Sequence, residues 1–212
     1  MKDEAGILIV FSGFSGSGKG TIMKRLMEKY EGKYALSVSA TTREARAGEV
    51  EGREYFFMQN TQFEAMIAED ELIEYAQYVN HYYGTPKKYV NEMLEMGKDV
   101  ILEIEIQGAL KVRKKFPDTL LMFVTPPTAD ILKERLVGRG TESMEVIERR
   151  LERATEEIQG IEEYDYLVVN DNLECCVEEV NSIITNEHKR VSRNKEFIKS
   201  MRQELYTYAK GE

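Results

Sequence analysis

Residues 13–21 read GFSGSGKGT and directly follow the apolar run ILIVF at residues 7–11. Glycines allow successive backbone N–H groups to converge on phosphate oxygens, and a neighbouring lysine neutralises the phosphate charge. The start of a following helix adds a partial positive charge, and residues 22–28, IMKRLME, suit such a helix. We therefore predict that this segment, named the phosphate loop, binds a nucleotide rather than serving as a glycine-rich connector. The residues expected to contact the nucleotide are Ser15, Gly16, Ser17, Gly18, Lys19, Gly20 and Thr21.

Gly20 occupies the position where phosphate loops of the strict Walker type carry a hydroxyl residue that binds Mg²⁺. Thr21 supplies a hydroxyl one residue later, and we expect it to meet a nucleotide phosphate. The metal would then be held mostly by phosphates, water and a carboxylate from elsewhere in the chain. This pattern disfavours a GTPase or a motor protein and favours a small nucleotide kinase.

Arg43 and Arg46 stand three residues apart in a segment rich in hydroxyl side chains, SVSATTREARAGE at residues 37–49. Guanidinium groups bind phosphate through two parallel N–H bonds, so this pair can grip a second phosphate that faces the phosphate loop. The spacing fits solvated surface arginines equally well. Tyr55 and Tyr83 are just as ambiguous as phenol donors when taken alone.

The chain has 212 residues, enough for one compact domain with insertions and a sizeable core. Its formal charge is −9, from 29 basic and 38 acidic residues, which argues against a general nucleic-acid binder. Cys175 and Cys176 are adjacent and cannot form an ordinary disulfide with each other, so a reducing compartment fits. No apolar stretch approaches the ~20 residues of a membrane span, and the first residues do not resemble a secretory leader. We therefore expect a cytoplasmic protein with no membrane or nucleic-acid partner.

The apolar runs predict strands alternating with helices around a parallel sheet, which is the α/β class. Candidate strands cover residues 7–11, 100–104, 120–125 and 166–169. An α+β insertion is predicted from strand-like pieces at residues 55–57 and 74–78 around a short helix at 61–68. Two further helices are predicted at residues 128–137 and 143–159. They are joined by Gly-Arg-Gly and can close over a ligand. The resulting division is a phosphate-loop core at residues 1–34, 97–127 and 160–189, an insertion with its return helix at 35–96, a lid at 128–159 and a C-terminal helical extension at 190–212.

The lid arginines can be sorted by their neighbours three and four residues away, which share a helix face. Arg149 and Arg153 have acidic residues at these spacings and suit surface ion pairs. The neighbours of Arg150 and Arg135 at the same spacings carry no acid. In so acidic a chain, we expect Arg150 and Arg135 to reach a phosphate. The acidic neighbours of Arg149 and Arg153 are Glu145, Glu152, Glu156 and Glu157.

Together these motifs resemble those of guanylate kinase in its bacterial form, a nucleoside monophosphate kinase with a P-loop NTPase core. The resemblance runs from about residue 7 to about residue 189. It rests on the phosphate loop and on SATTR and RAGE within residues 39–49, YYGT at 82–85, EIEIQG at 103–108, GRGT at 138–141 and VND at 169–171. In this family a central parallel sheet carries an α+β GMP-binding insertion and a helical lid, so the resemblance implies the layout that the elements predict.

Carried over residue by residue, the resemblance implies a full set of contacts. The residues implied to catalyse phosphoryl transfer are Lys19, Arg43, Arg135, Arg139 and Arg150. Those implied to bind GMP are Ser39, Arg43, Arg46, Tyr55, Glu74, Tyr83, Thr85, Glu103 and Glu105. Asn170 and Asp171 would contact the adenine of ATP, although an Asx turn at the end of a strand explains the same two residues.

Two of the implied acids can be examined chemically. Glu74 suits guanine because one edge of that base offers N1–H and an amino group, and a carboxylate accepts from both, whereas adenine lacks these donors on that edge. Glu103 would stand near Mg²⁺, through water. Many relatives carry Asp where this chain has Glu103 and Glu105, so the added methylene leaves direct and water-mediated metal contact both open.

The expected reaction is the transfer of the γ-phosphoryl group of ATP to GMP, giving ADP and GDP, with Mg²⁺ as cofactor. A binding module of the same fold without catalysis would lack part of the phosphate loop or the lid. A kinase for another phosphorylated acceptor, such as a ribose bisphosphate, would not need the base-reading set Glu74, Thr85 and Glu105.

The C-terminal extension predicts a helix with an apolar stripe and basic residues on its other faces. A single apolar stripe must be buried, so we expect this helix to dock on the core of its own chain, with a second subunit of a homo-oligomer as the alternative. The stripe consists of Val191, Ile198, Met201, Leu205 and Tyr208.

Overall fold

The computed structural model describes residues 5–46, 48–78, 80–138 and 143–209, and within these ranges the chain forms nine strands and eight α-helices. The strands are β1 (Leu8–Gly13), β2 (Tyr34–Leu36), β3 (Ser39–Thr41), β4 (Tyr55–Phe57), β5 (Leu72–Tyr78), β6 (His81–Pro86), β7 (Asp99–Leu102), β8 (Leu120–Thr125) and β9 (Tyr166–Val169). The helices are α1 (Lys19–Lys29), α2 (Asn60–Ala68), α3 (Lys87–Glu95), α4 (Ile106–Lys115), α5 (Ala129–Val137), α6 (Met144–Glu157), α7 (Leu173–Glu187) and α8 (Lys195–Ala209). The predicted catalytic residue Arg139 lies outside the described residues.

Five strands form a wholly parallel core sheet in the order β2-β7-β1-β8-β9. All four predicted core strands are present, which confirms the α/β architecture. β7 ends at Leu102, so residues 103–105 leave the sheet as a loop instead of extending the strand to residue 104. The sequence did not predict β2, because three residues are too few to show a period. Residues 35 and 36 therefore belong to the core sheet, and the predicted boundary at residue 35 moves past them.

Helices cover both faces of the core sheet, as expected for a parallel sheet. In β1, Ile9 and Phe11 face the side covered by α1 and α7, whereas Val10 faces the side covered by α3 and α4. This alternation explains why the strand is apolar throughout. The carboxyl ends of β1 and β7 lie side by side, and both the phosphate loop and the 103–105 loop begin there. That edge is where sheets of this kind place their ligands.

The insertion folds around a second sheet of four strands in the order β4-β3-β6-β5. Its inner strand β3 pairs in parallel with β4 and antiparallel with β6, the second inner strand. The strand pieces and the short helix predicted for the insertion are confirmed as β4, β5 and α2. Phe63 of α2 is fully buried and stacks on Tyr82, with ring centroids 5.1 Å apart, so the sheet has a small core of its own.

The two predicted lid helices are present as α5 and α6, which pack on each other. The Thr128 hydroxyl caps α5 by accepting a hydrogen bond from the backbone N–H of Ile131. Apolar side chains of both helices pack on Phe14 of the phosphate loop, whose ring meets Phe123 edge-on at 5.0 Å. Phe14, to which the sequence assigned no role, therefore anchors the base of the lid to the phosphate loop.

The C-terminal extension forms the expected helix α8, but the prediction that it docks on its own core is wrong. No residue of α8 is buried, and Phe197, Leu205 and Tyr208 remain 65%, 60% and 82% exposed. A periodic apolar stripe indicates that a helix has a face to cover, and it does not identify what covers it. Among the described residues, no helix has both the length and the apolar character needed to cross a membrane.

Candidate active site

The phosphate loop has the geometry that its glycines predict. Gly16 and Gly18 have φ values of 90° and 93°, a region that side chains strongly disfavour. The Gly18 carbonyl accepts hydrogen bonds from the N–H groups of Thr21 and Ile22, which begins α1. In the first turn of a helix the N–H groups point forward without partners in the helix, so the loop and the start of α1 offer donors to an anion.

Lys19 lies at the mouth of this loop. Its ammonium group donates to the carbonyls of Gly13, at 2.7 Å, and Phe14, at 3.1 Å, which holds the charge beside the loop. It lines a cavity of about 580 Å³ between the phosphate loop, the 103–105 loop and α6. The cavity is lined by Gly13, Ser15, Lys19, Glu103, Ile104, Glu105, Val146, Arg149, Arg150, Arg153 and Glu157.

Glu103 faces Lys19 across this cavity. Desolvation by the surrounding protein raises the pKa of the Glu103 carboxyl, and the charge of Lys19 opposes that rise. The backbone between Glu103 and Glu105 is fixed to β1, because the buried Ser12 hydroxyl of that strand donates a 2.6 Å hydrogen bond to the Ile104 carbonyl. The loop is therefore held in place where it presents its two acids.

Two cavity residues, Arg153 and Glu157, were predicted only as a surface ion pair and not as site residues. Arg153 of α6 forms an ion pair with Glu105 as well as with Glu157, at 3.2 Å. Desolvation raises the pKa of Glu157, and the charge of Arg153 opposes that rise. The predicted local pair with Glu157 is thus confirmed, but the contact with Glu105 joins residues 48 positions apart and leaves no local signal in the sequence.

Arg149 and Arg150 differ as their neighbours predict. Arg149 pairs with Glu145 one turn earlier on α6, and its side chain is 71% exposed at the rim of the cavity. Arg150 instead directs a guanidinium N–H to the Ser15 hydroxyl of the phosphate loop, at 2.7 Å. This contact brings the lid arginine to the phosphate loop.

Arg135 lies on the opposite side of the phosphate loop. Its guanidinium donates to the carbonyl of Asn170, at 2.9 Å, and to that of Ser17, at 3.4 Å. The Asn170 amide also donates to the Ser17 carbonyl, at 2.8 Å, and is buried. Asp171, the other predicted adenine contact, is exposed. Neither Arg135 nor Asn170 lines the cavity, so both support the loop in this structure.

Arg43, Tyr55 and Tyr83, which are predicted to bind a second phosphate, lie close together at neighbouring strands of the insertion sheet. The guanidinium of Arg43 lies over the ring of Tyr55, 5.3 Å from its centroid, and the rings of Tyr55 and Tyr83 are 6.0 Å apart. Arg43 also donates to both carboxylate oxygens of Glu49, at 2.8 and 3.0 Å. This bond, with one from the Arg46 backbone, holds the pKa of Glu49 below its ordinary value.

Glu49 was not among the predicted site residues, although it stands in the same motif, six residues after Arg43. Its pairing shows that Arg43 is not the solvated surface arginine of the alternative reading. Arg46 is exposed, and Ser39 is half-buried on β3, next to Tyr55 in the strand register. The structure therefore brings Arg43, Tyr55 and Tyr83 together and leaves Arg46 at the surface.

Glu74 and Thr85, which are predicted to read the base, are in direct contact. They lie on the adjacent strands β5 and β6, and the buried Thr85 hydroxyl donates to Glu74 at 2.9 Å. Burial raises the pKa of the Glu74 carboxyl, while the Thr85 hydrogen bond and the charge of Lys111 oppose the rise. Gly108 of α4 lies beside this carboxylate: a Cβ at that position would stand 3.5 Å from the second Glu74 oxygen, an ordinary van der Waals contact.

The donor set in the cavity fits a metal ion that is carried mainly by a nucleotide. In the described part of the chain, no group of three or more His, Cys, Asp or Glu side chains is arranged to enclose a metal ion. Glu103 supplies hard carboxylate oxygens next to Lys19. Mg²⁺ commonly binds through one or two carboxylates, substrate phosphates and water, and this arrangement suits it.

Comparisons with known proteins point to one family. A sequence profile described as Guanylate kinase matches residues 6–187. The chain is 54% identical over 190 residues to the guanylate kinase of Streptococcus thermophilus (strain CNRZ 1066), covering 90% of this chain and 91% of that one. It is 55% identical over 190 residues to the guanylate kinase of Lactococcus lactis subsp. lactis (strain IL1403), covering 90% and 92%. The crystal structure of guanylate kinase from Anaplasma phagocytophilum superposes with a TM-score of 0.70 at 30% identity, covering 90% of each chain.

Proposed function

The chain belongs to the guanylate kinase family, and we propose that its two groups of site residues carry out the transfer of the γ-phosphoryl group of ATP to GMP, giving ADP and GDP. The protein is a transferase, a nucleoside monophosphate kinase. One observation carries the proposal: Lys19, Arg150 and Glu103 meet in a single cavity at the carboxyl edge of the core sheet. The position is the one where a triphosphate on the phosphate loop would present its terminal phosphoryl group.

The donor side binds ATP. Backbone N–H groups of the phosphate loop and of the first turn of α1 hold the phosphates, and Lys19 neutralises them. Arg150 reaches the same region from the lid, so lid closure adds a cation as the cavity closes around the nucleotide. Arg135 and Arg139 complete the cationic set that stabilises the transferring phosphoryl group.

The acceptor side binds the phosphate of GMP. Arg43 supplies the guanidinium, Tyr55 and Tyr83 supply phenol donors, and Glu49 orients Arg43. Arg46 joins from the surface when the insertion closes. The second pKa of a phosphate monoester is about 6, so the attacking oxygen is already ionised at neutral pH and needs no strong general base. Catalysis then consists of alignment and charge neutralisation.

The base of GMP is read by the insertion and the 103–105 loop. Glu74 accepts from N1–H and the amino group of guanine, and Thr85, Ser39 and Glu105 complete the pocket. Two contacts support this role: Thr85 orients the Glu74 carboxylate, and Thr85 and Lys111 oppose the rise in its pKa that burial causes.

Mg²⁺ is the proposed cofactor, with Glu103 as its protein ligand through water. When bound, the ion neutralises charge on the phosphates of the donor. We place the reaction in the cytoplasm, where reduced thiols are the rule. The two adjacent cysteines, both free, fit that compartment.

The neighbouring lid arginines test the assignment. We expect Arg150→Ala to lower kcat about tenfold with little change in melting temperature, because its guanidinium lies at the phosphate loop while other cations share the charge. Arg149→Ala is the matched control: it removes the same charge one residue away, but its pair with Glu145 contributes only about 0.2–0.5 kcal/mol. Steady-state rates of ADP formation measure both. A loss of turnover in Arg149→Ala with Arg150→Ala unaffected would overturn the assignment.

A further inference from the structure

Asn170 lies directly beneath the phosphate loop, at the point where β9 ends. Its own N–H donates to the Thr125 carbonyl of β8, at 2.8 Å, so its backbone is fixed to the core sheet. The residue is 7% exposed, and its side-chain amide donates to the Ser17 carbonyl, at 2.8 Å. A contact between residues 153 positions apart thus ties the loop to the rigid core.

The Ser17 carbonyl accepts a second hydrogen bond, from Arg135 at 3.4 Å. The same guanidinium donates to the Asn170 carbonyl at 2.9 Å, so Arg135 bridges the loop and the end of β9. Gly18 packs on this arrangement: a Cβ at that position would lie 2.4 Å from the Asn170 amide nitrogen. Loop, lid base and core strand therefore meet at one peptide group.

The contact with the Ser17 carbonyl also determines where the next N–H group points. A trans peptide directs its C=O and N–H to opposite sides, so fixing the Ser17 carbonyl also fixes the direction of the Gly18 N–H. We propose that Asn170 is a positioning residue of the phosphate loop: it holds the Ser17–Gly18 peptide with the Gly18 N–H turned towards the nucleotide phosphates. This inference rests on the proposed role of the loop and is distinct from the adenine contact implied for Asn170.

The two roles differ in which ligands they affect. A residue that shapes the loop influences every triphosphate, whereas a residue that reads adenine influences only adenine nucleotides. Calorimetric dissociation constants for ATP, UTP and inorganic tripolyphosphate, measured without GMP, separate them. For Asn170→Ala we expect the constants for UTP and tripolyphosphate to rise by a factor of about ten, the effect of roughly one hydrogen bond, and the constant for ATP to rise at least as much.

The matched control is Asn172→Ala. Asn172 caps α7 by accepting from the N–H of Cys175, at 3.1 Å, and it touches neither the loop nor the cavity. Its loss should lower the melting temperature and leave the three dissociation constants unchanged. Asn170→Asp serves as a second variant, since it keeps the shape of the side chain and removes the donor. All constants are measured at a temperature where every variant is folded.

A loss confined to ATP would show that Asn170 reads adenine and would overturn the inference. Equal constants for Asn170→Ala, Asn170→Asp and Asn172→Ala would show that the loop keeps its geometry without the contact, which overturns it as well. The proposed function is tested separately, because these constants do not depend on turnover. A wild-type protein that binds triphosphates without phosphorylating GMP contradicts the function and leaves the positioning test intact.

Discussion

Lys19→Ala is expected to lower kcat for GMP-dependent ADP formation by a factor of about 10² to 10³. The ammonium group stands beside the phosphate loop, where negative charge shifts during transfer, and alanine leaves that charge without its nearest lysine. The fold should survive, because the side chain donates to the carbonyls of Gly13 and Phe14 and is not part of the apolar core that packs around β1.

The matched control for this variant is Lys24→Ala. Lys24 lies on the exposed face of α1, five residues further along the chain, and lines no part of the cavity. Both variants lose one positive charge, so only position distinguishes them. Turnover in Lys19→Ala within a few-fold of wild type, with melting temperature unchanged, would contradict a phosphate-loop kinase.

Glu74→Gln is expected to lower kcat/KM for GMP by about 10- to 100-fold while KM for ATP changes little. The substitution keeps the shape of the side chain and its bond with Thr85, but an amide nitrogen now faces a guanine donor. A mispaired bidentate contact of this kind costs about 1–3 kcal/mol. Initial rates with each substrate varied in turn give both constants.

Glu64→Gln is the matched control for Glu74→Gln, because it makes the same substitution at an exposed position on α2. It should match wild type for both substrates. Equal losses for GMP and ATP in Glu74→Gln would instead assign Glu74 a structural role in the insertion.

Much of the donor side could be predicted because its signals are local. The phosphate loop combines a buried strand, four glycines with a lysine, and a helix start within about twenty residues, and each part has a physical reason to be there. The contrast between Arg149 and Arg150 was predicted for the same reason, since helix geometry decides which side chains can pair.

The missed features depend on contacts between distant segments. The pair of Arg153 with Glu105, and the bonds that join Arg135 and Asn170 to Ser17, bring together residues 48, 118 and 153 positions apart. No spacing rule reaches that far. The exposed face of α8 illustrates a second limit: periodicity identified the stripe, but its partner is not encoded in the helix itself.

The central claim is that this chain phosphorylates GMP and selects it by its base. The most direct measurement compares ADP formation from ATP with GMP, AMP, UMP and CMP as acceptors, each at matched concentration with Mg²⁺ present. We predict that kcat/KM for GMP exceeds that for each of the others at least about a thousandfold, because a pocket built to accept from N1–H and the amino group leaves its acceptors unpaired with other bases. Comparable rates with AMP or a pyrimidine monophosphate, or ADP formation independent of GMP, would contradict the account.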